Sequence, residues 1–538
     1  MSYPHLPLLQ GQSVTFSQAL ADRRNMVHQL ELPPQESAFH QRLLDSTQII
    51  QRLVNLHLRV KNSHVAGPAE WQYGAYNVSI PVYLDPESQR YVLFRIPLPY
   101  TLGEWAKPGC TGEKLRCEVA TYIWIRQHCP TIPIPHLYGF ALKDDSGLFV
   151  EPAVVSCYAR YGWRARRKFL RLRGAPEKIP FVKVKARNEL EKDYMIVRPV
   201  THGRKLSETL EKLLTAPVYK QIFLRHLAEI MLALSTTSFP QIGSLTFGNK
   251  RVVELTNRPL TPSLVSWDDA AIATIPRHQT FQDVETYIVS LLDSYDEHLR
   301  HQPNAIRDEA DGRAQMAALV LMRALLHQFV SKQYHKGPFT LALTELSPDN
   351  IIVDDEGRIV SLIDLDWACS LPVEMLKPPY WLPGVQPHGY PELIDDFLEI
   401  FKGLEDHRLP DRKHSHAGIM RACLARGSHW YFRALCSGKG MADIVTHRIE
   451  RKYLVDNDNH DLVAGIFSEY WCPDSAAFIT ERRHATGQYN TKLEEIFSSS
   501  IKTASQTTAE ITDPGEGSSS GSSDAHPHGS TSEAVGTT

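Results

Sequence analysis

Nowhere in this sequence do eighteen apolar residues run together, and its first residues, MSYPHLPLLQGQSVTF, lack the basic start and long apolar stretch of a secretory signal. No membrane span is expected. The eight cysteines (110, 117, 129, 157, 369, 423, 436 and 472) form no CxxC pair and lie at no metal-type spacing from histidine. That excludes a zinc framework and points to a reduced, cytoplasmic chain. Charge of one sign is missing as well. A formal net charge of -3 gives no global field to hold nucleic acid or an anionic bilayer, so no nucleic-acid partner is expected. Internal repeats are absent. What is there is a chain of 538 residues, 42% hydrophobic and 22% charged. This is the profile of a globular protein with more than one lobe and enough apolar surface for a large core.

The patterning changes character along the chain. Residues 40 to 60, HQRLLDSTQIIQRLVNLHLRV, have helical spacing after a proline-containing lead that is expected to lie along the surface. From Trp71, WQYGAYNVSIPVYL alternates apolar with small or polar residues, and RYVLFRIPLP follows the turn signal DPESQ, which together predict a hairpin. EKLRCEVATYIWIRQ places Leu115, Val119, Tyr122 and Ile123 on one helical face and is stopped by Pro130, Pro133 and Pro135. Two further strands, PHLYGFAL and DYMIVRPV, flank a basic segment. Beyond Gly203, FLRHLAEIMLAL and MAALVLMRALLHQFV are helical. A strand-rich part thus precedes a helix-rich one. The expected divisions are an N-terminal extension with a helix at 1–66, a nucleotide-binding lobe at 67–200, a helical lobe at 201–497 and a disordered Ser/Gly/Thr-rich tail at 498–538.

The densest chemistry lies in residues 343 to 368, LTELSPDNIIVDDEGRIVSLIDLDWA. The DDEG turn folds one short apolar strand back on another, which brings Asn350 and Asp364 toward one end of a hairpin. Two hard oxygen ligands converging there suit Mg²⁺, which takes one or two carboxylates and leaves the rest to water and substrate phosphates. Glu345, on the loop before Asn350, is then placed to orient an acceptor hydroxyl. Transfer of the terminal phosphate of ATP also needs a phosphate cradle, a cation on the α and β phosphates, a carboxylate to hold that cation, and an adenine hinge. Gly74, Arg95, Glu118 and the main chain of Arg198 and Val200 supply these in sequence order. Arg95 is a charge in an apolar strand and needs a partner, for which Glu118 on the next helix is the natural one.

At this point the sequence resembles the kinase-like phosphotransferases of the aminoglycoside phosphotransferase type, particularly their fungal branch. EKLRCEVATYIWIRQHCPTIPIPHLYGF, LTNRPLT, DEADGRAQMAAL and IDLDWACSLPVEMLKPPYWL carry the resemblance, in order, over roughly residues 45 to 400. It implies an α+β, protein-kinase-like two-lobed fold with an antiparallel-sheet N-lobe and a helical C-lobe. ATP and Mg²⁺ are the implied cofactors, and a hydroxyl-bearing small molecule, less readily a protein, is the implied acceptor. The residues implied are nucleotide contacts at Gly74 and Arg95, the Arg95–Glu118 pair, a hinge at Arg198 to Val200, metal ligands Asn350 and Asp364, and Glu345 as the catalytic position. This chain departs from the family in one place: ELSPDN stands where a DLHPxN-like loop is usual, so Glu345 replaces an aspartate. The extra carbon moves the carboxylate by about 1 Å. The alternative to an enzyme is therefore a pseudokinase that serves as a nucleotide-binding or interaction module.

Three other groups have structural readings. RYGWRARRKFLRLRG, from Arg160 to Gly174, reads as the solvated face of a helical insertion. Asp308, Glu309 and Asp311 read as the acidic start of a helix, and His414, His416 and His429 as surface histidines. Asp366 is expected to face away from Asp364 if the strand continues.

Overall fold

A computed structural model describes residues 3–85, 89–145, 147–379, 381–382, 391–438, 440–453 and 460–511. The alternating segments become the antiparallel strands Asn77–Tyr83 and Tyr91–Pro97, with Ser79 opposite Arg95. The DPESQ turn between them lies partly outside the described residues. On the far side of Tyr91–Pro97 runs the strand Tyr194–Val197, with Met195 opposite Arg95. The sheet contains eight strands, ordered His64–Val65, Asn77–Tyr83, Tyr91–Pro97, Tyr194–Val197, Leu137–Ala141, Leu148–Val150, Val182–Val184, with Gln72–Tyr73 paired to Asn77–Tyr83. Arg95 therefore sits in an interior strand, where a side chain is fixed by neighbours on both sides.

Period-2 alternation gives this sheet two apolar faces. Val78, Ile80, Val82, Phe94 and Ile196 pack against the helices Met26–Asp45 and Thr47–Leu58 through Leu32, Phe39, Ile50 and Val54. The opposite face, carrying Phe140, Met195 and Val197, meets Val119, Tyr122 and Ile123 of the helix Cys110–His128. The proline-containing lead does not lie along the surface as a loop. Pro33 and Pro34 fall inside the helix Met26–Asp45, which Asn25 caps by accepting from the His28 amide at 3.3 Å. The lost backbone donors are offset by burial of Leu32 and Phe39, each 1% exposed, on the same helix.

The apolar cluster beneath the sheet continues through the helix Pro217–Ser235 to the hairpin Ile351–Val353/Ile359–Leu362, in which Ile351 faces Leu362. A second cluster joins the helices Val284–His301, Glu309–Ala324 and Ser428–Cys436 to the strand pair Phe339–Leu343/Ala368–Pro372. The fold is thus mixed: helices around antiparallel sheets. The two ends of the chain meet, with Leu6, Val14, Ala19, Met26 and Val27 packed on Tyr489, Leu493 and Phe497. Helix Ser475–Ile511 carries regular structure past Ser498, where a structureless tail was expected; residues 512–538 lie outside the described residues.

The basic run forms the helix Cys157–Leu172, inserted between the strands Leu148–Val150 and Val182–Val184. Its outward side carries charge, with Arg164, Arg166, Lys168 and Arg171 exposed as expected, and apolar side chains as well. Arg160, Trp163, Arg167 and Leu170 are half-buried, whereas Tyr158, Tyr161, Phe169 and Leu172 are exposed. Half-buried Arg167 and exposed Arg171 both pair with Glu177. Among the described residues no helix is long and apolar enough to cross a membrane.

Candidate functional site

The strand Ile359–Leu362 ends just before Asp364, whose φ of +64° lies in the left-handed region. A non-glycine residue pays roughly 1 kcal/mol for that conformation, so the surroundings must hold it. The holding contact is Arg95, whose Nη2 lies 2.8 Å from Asp364 Oδ1 while its Nη1 lies 3.0 Å from Glu118 Oε1. The left-handed turn also cancels strand alternation. Asp366 does not face away from Asp364 as expected: a carboxylate oxygen from each of Glu118, Asp364 and Asp366 lies within 4.8 Å of the others.

Two residues not anticipated complete the cluster. Lys114, one helical turn before Glu118, places Nζ 2.7 Å from Asp366 Oδ2 and 3.4 Å from Glu118 Oε2. The Asn77 amide donates to Asp366 Oδ2 at 3.0 Å and its oxygen accepts from Lys114 Nζ at 3.0 Å. The i,i+4 spacing of Lys114 and Glu118 on the helix that follows Arg95 was the available sequence clue. Three carboxylates face two cations, which leaves one negative charge in surplus. Burial, then Glu118, pushes the Asp366 carboxyl up to about 6, and burial followed by Asp366 raises Asp364. For Glu118, burial works upward, but Arg95 and Lys114 outweigh it and hold the pKa below its ordinary value. Asp366 Oδ1 is buried with no partner among the described residues. A surplus charge and an orphaned carboxylate oxygen at one point fit a divalent cation.

The hairpin register puts Asn350 beside this cluster, its carbonyl accepting from the Ile363 amide at 2.9 Å, next to Asp364. Asn350 Nδ2 donates to the Glu345 carbonyl at 3.0 Å, which ties the loop bearing Glu345 to the hairpin. Burial, then the nearby Asp364 charge, raises the Glu345 carboxyl above its ordinary range, so these two acids share one electrostatic environment.

Gly74, Arg198 and Val200 have local contacts of their own. Gly74 closes a turn, donating its amide to Asn77 O at 2.8 Å and accepting from Gln10 Nε2 at 2.8 Å. Arg198 follows the strand Tyr194–Val197; its amide donates to His136 O at 2.8 Å, and its Nε to the Tyr138 hydroxyl at 3.2 Å. Val200 lies two residues beyond and is half-buried.

A buried network not foreseen from sequence fixes the helix that carries Lys114 and Glu118. Arg258 grips Glu113 with Nε and Nη2, both at 2.9 Å, and reaches Asp268 with Nη2 at 2.6 Å, while Arg277 Nε adds a contact to Glu113 at 3.0 Å. Glu113 precedes Lys114, so this clamp sets the helix position directly beside the site. Asp308 caps the helix Glu309–Ala324 by accepting from the Asp311 amide at 2.9 Å, and Asp311 pairs with Arg23 at 3.2 Å. His416 is not a surface histidine: it is buried with Nδ1 3.1 Å from Glu405.

Beside Glu345 opens a cavity of about 390 Å³, walled by Leu341, Leu343, Leu346, Leu371 and Leu376 with Trp267. Its size is that of a small-molecule site.

No family model and no curated protein matches this chain. Among solved structures, 34 chains are similar to it. One of these is a "Macrolide 2'-phosphotransferase type I", at 12% identity over 74% of this chain and 96% of that chain, with a TM-score of 0.32.

Proposed function

We propose that this chain is a kinase-like phosphotransferase, two-lobed in plan, that transfers the γ-phosphate of ATP to a hydroxyl of a small molecule with Mg²⁺. One observation carries the reading: Arg95, Glu118 and Asp364 converge in a single ion-paired cluster, although Arg95 and Asp364 are 269 positions apart. A purely structural ion cluster would be expected to balance its charge, and this one leaves a carboxylate oxygen unpaired.

In this reading Asp364 and Asn350 hold Mg²⁺, with Asp366 alongside. The ion, when bound, neutralises phosphate charge. Arg95 binds the α and β phosphates in a bidentate manner and Glu118 keeps its guanidinium aimed. The turn at Gly74 approaches the phosphates, and the main chain of Arg198 and Val200 meets the adenine edge. Glu345 accepts a hydrogen bond from the acceptor hydroxyl; its raised pKa suits it to take the proton as phosphorus is attacked. The second reading, a nucleotide-binding pseudokinase, is favoured by Glu345 in place of aspartate and by the Gly74 amide, which is already donated to Asn77.

The test is a thermal-denaturation titration of the wild type and Asp364→Ala with ATP, with and without Mg²⁺. A ligand at a hundredfold excess over its Kd stabilises the native state by about 2.7 kcal/mol. Mg²⁺-dependent stabilisation of the wild type alone is expected. An equal response in Asp364→Ala, or none in either protein, rejects the reading.

A further inference from the structure

We infer that the cavity beside Glu345 receives an apolar hydroxyl compound bearing an anionic group, of the hydroxy-acid class, and that Lys377 and Arg433 bind its anion. This rests on the phosphotransferase reading only for the role of Glu345.

The walls decide the body of the ligand. The strand Phe339–Leu343 and its partner Ala368–Pro372 supply Leu341, Leu343 and Leu371, and the segment after them supplies Leu346 and Leu376. Burying an alkyl chain against such a wall gains about 25 cal/mol per Å² of apolar surface. Apolar side chains make up most of the lining. Four aliphatic hydroxyls line the cavity, and three of them are engaged within the protein. Ser263 donates to Cys436 O at 3.0 Å, Thr344 donates to Trp367 O at 2.7 Å, and Ser437 accepts from the Gly440 amide at 3.0 Å.

The charges decide the head group. Glu345 is the sole acid among the lining residues, against two cations, Lys377 and Arg433. Among the described residues Lys377 has no hydrogen-bond or ion-pair partner, and the exposed Arg433 lies over the Trp430 ring, 5.4 Å from its centroid, with no carboxylate partner. By contrast, the buried cations Arg95, Lys114 and Arg258 each hold a carboxylate. Burial, and Arg433 beside it, lower the Lys377 pKa, which marks an ammonium lacking a counter-charge. Glu345 follows the strand pair at its Leu343–Ala368 end and Lys377 follows it at the opposite, Phe339–Pro372 end, so the ammonium and the acid approach the cavity from different ends. A ligand whose anion meets Lys377 and whose hydroxyl meets Glu345 satisfies both ends; a polycation satisfies neither. In transfer, the hydroxyl oxygen bonds to the γ-phosphorus, the bond from that phosphorus to the β–γ bridging oxygen breaks, ADP departs with the bond's electrons, and the hydroxyl proton passes to Glu345.

The experiment is calorimetric titration of the full chain with hydroxydecanoate, decanediol and aminodecanol, with MgATP-dependent thermal stabilisation measured in parallel. Hydroxydecanoate is expected to bind about tenfold more tightly than the other two. Lys377→Met, and separately Arg433→Gln, should remove that preference while leaving stabilisation by MgATP unchanged. Arg433→Gln, at an exposed position, keeps the test open should Lys377→Met not fold. Equal or tighter binding of aminodecanol overturns the assignment, as does stabilisation by MgATP with no probe bound. Hydroxydecanoate binding without any MgATP response leaves the cavity assignment standing and removes the phosphotransferase reading instead.

Discussion

Below neutral pH this fold should lose stability through one buried imidazole. His57 is 0% exposed on the helix Thr47–Leu58, with Nε2 3.1 Å from the Tyr194 hydroxyl on the strand beside Arg95 and with Nδ1 lacking a partner among the described residues. Burial lowers its pKa from 6.5 to about 3. A base whose folded pKa is depressed stabilises the fold in its neutral form. That contribution is complete above the unfolded pKa and drains away as pH falls from about 6.5 toward 3, because the unfolded chain takes up the proton first. At pH 5 the unfolded imidazole is about 1.5 units below its pKa, which at about 1.4 kcal/mol per unit weakens the fold by about 2 kcal/mol. Urea denaturation of the wild type and His57→Gln at pH 7 and pH 5 isolates this residue from the others that titrate. The wild-type stability minus the variant stability should fall by about 2 kcal/mol between the two pH values. A difference independent of pH, or an imidazole resonance titrating near 6, refutes the reasoning.

Other outcomes follow from the same geometry. In Gly139→Ala the new methyl would meet His57 and lie 2.6 Å from the Phe149 carbonyl, so denaturant unfolding should show a loss of about 1–3 kcal/mol or more. Arg258→Met strips a cation from buried Glu113 and Asp268 and should cost about 3–5 kcal/mol in the same assay; a loss under about 1 kcal/mol contradicts the clamp. Glu345→Gln should abolish phosphoryl transfer, followed as ADP release, while retaining MgATP stabilisation; loss of that stabilisation would give Glu345 a binding role instead. Glu345→Asp should raise the rate, by up to about a hundredfold if the extra carbon misplaces the carboxylate.

Some of this architecture is plain in the residue order. A DDEG turn between two apolar runs announces the hairpin, and a lone Arg95 within YVLFRIPLP announces a buried partner, which Glu118 supplies. Lys114 and Asp366 were hidden for a different reason. Their meeting depends on the left-handed backbone at Asp364, and an aspartate gives little warning of that conformation where a glycine would have. The prolines at 33 and 34 misled because a local breaker rule yields to distant burial, here of Leu32 and Phe39. Arg258 and Glu113 are 145 positions apart, and charge pairing at that separation has no local pattern. The basic helix has the solvated face its composition announces, at Arg164, Arg166, Lys168 and Arg171, while the partial burial of Arg160 and Arg167 had no local signal.

The seam between residues 6–27 and 489–497 bears on how the protein is made. The amide of Met26 rests on the phenol of Tyr489, 463 positions later, and Tyr3 donates to Glu494. Residues 6–27 therefore wait for residues 489–497 to be made before the leucine, valine and methionine side chains of the earlier segment are covered. Until then this seam is uncovered apolar surface, and removing either segment from the folded molecule would bare the other.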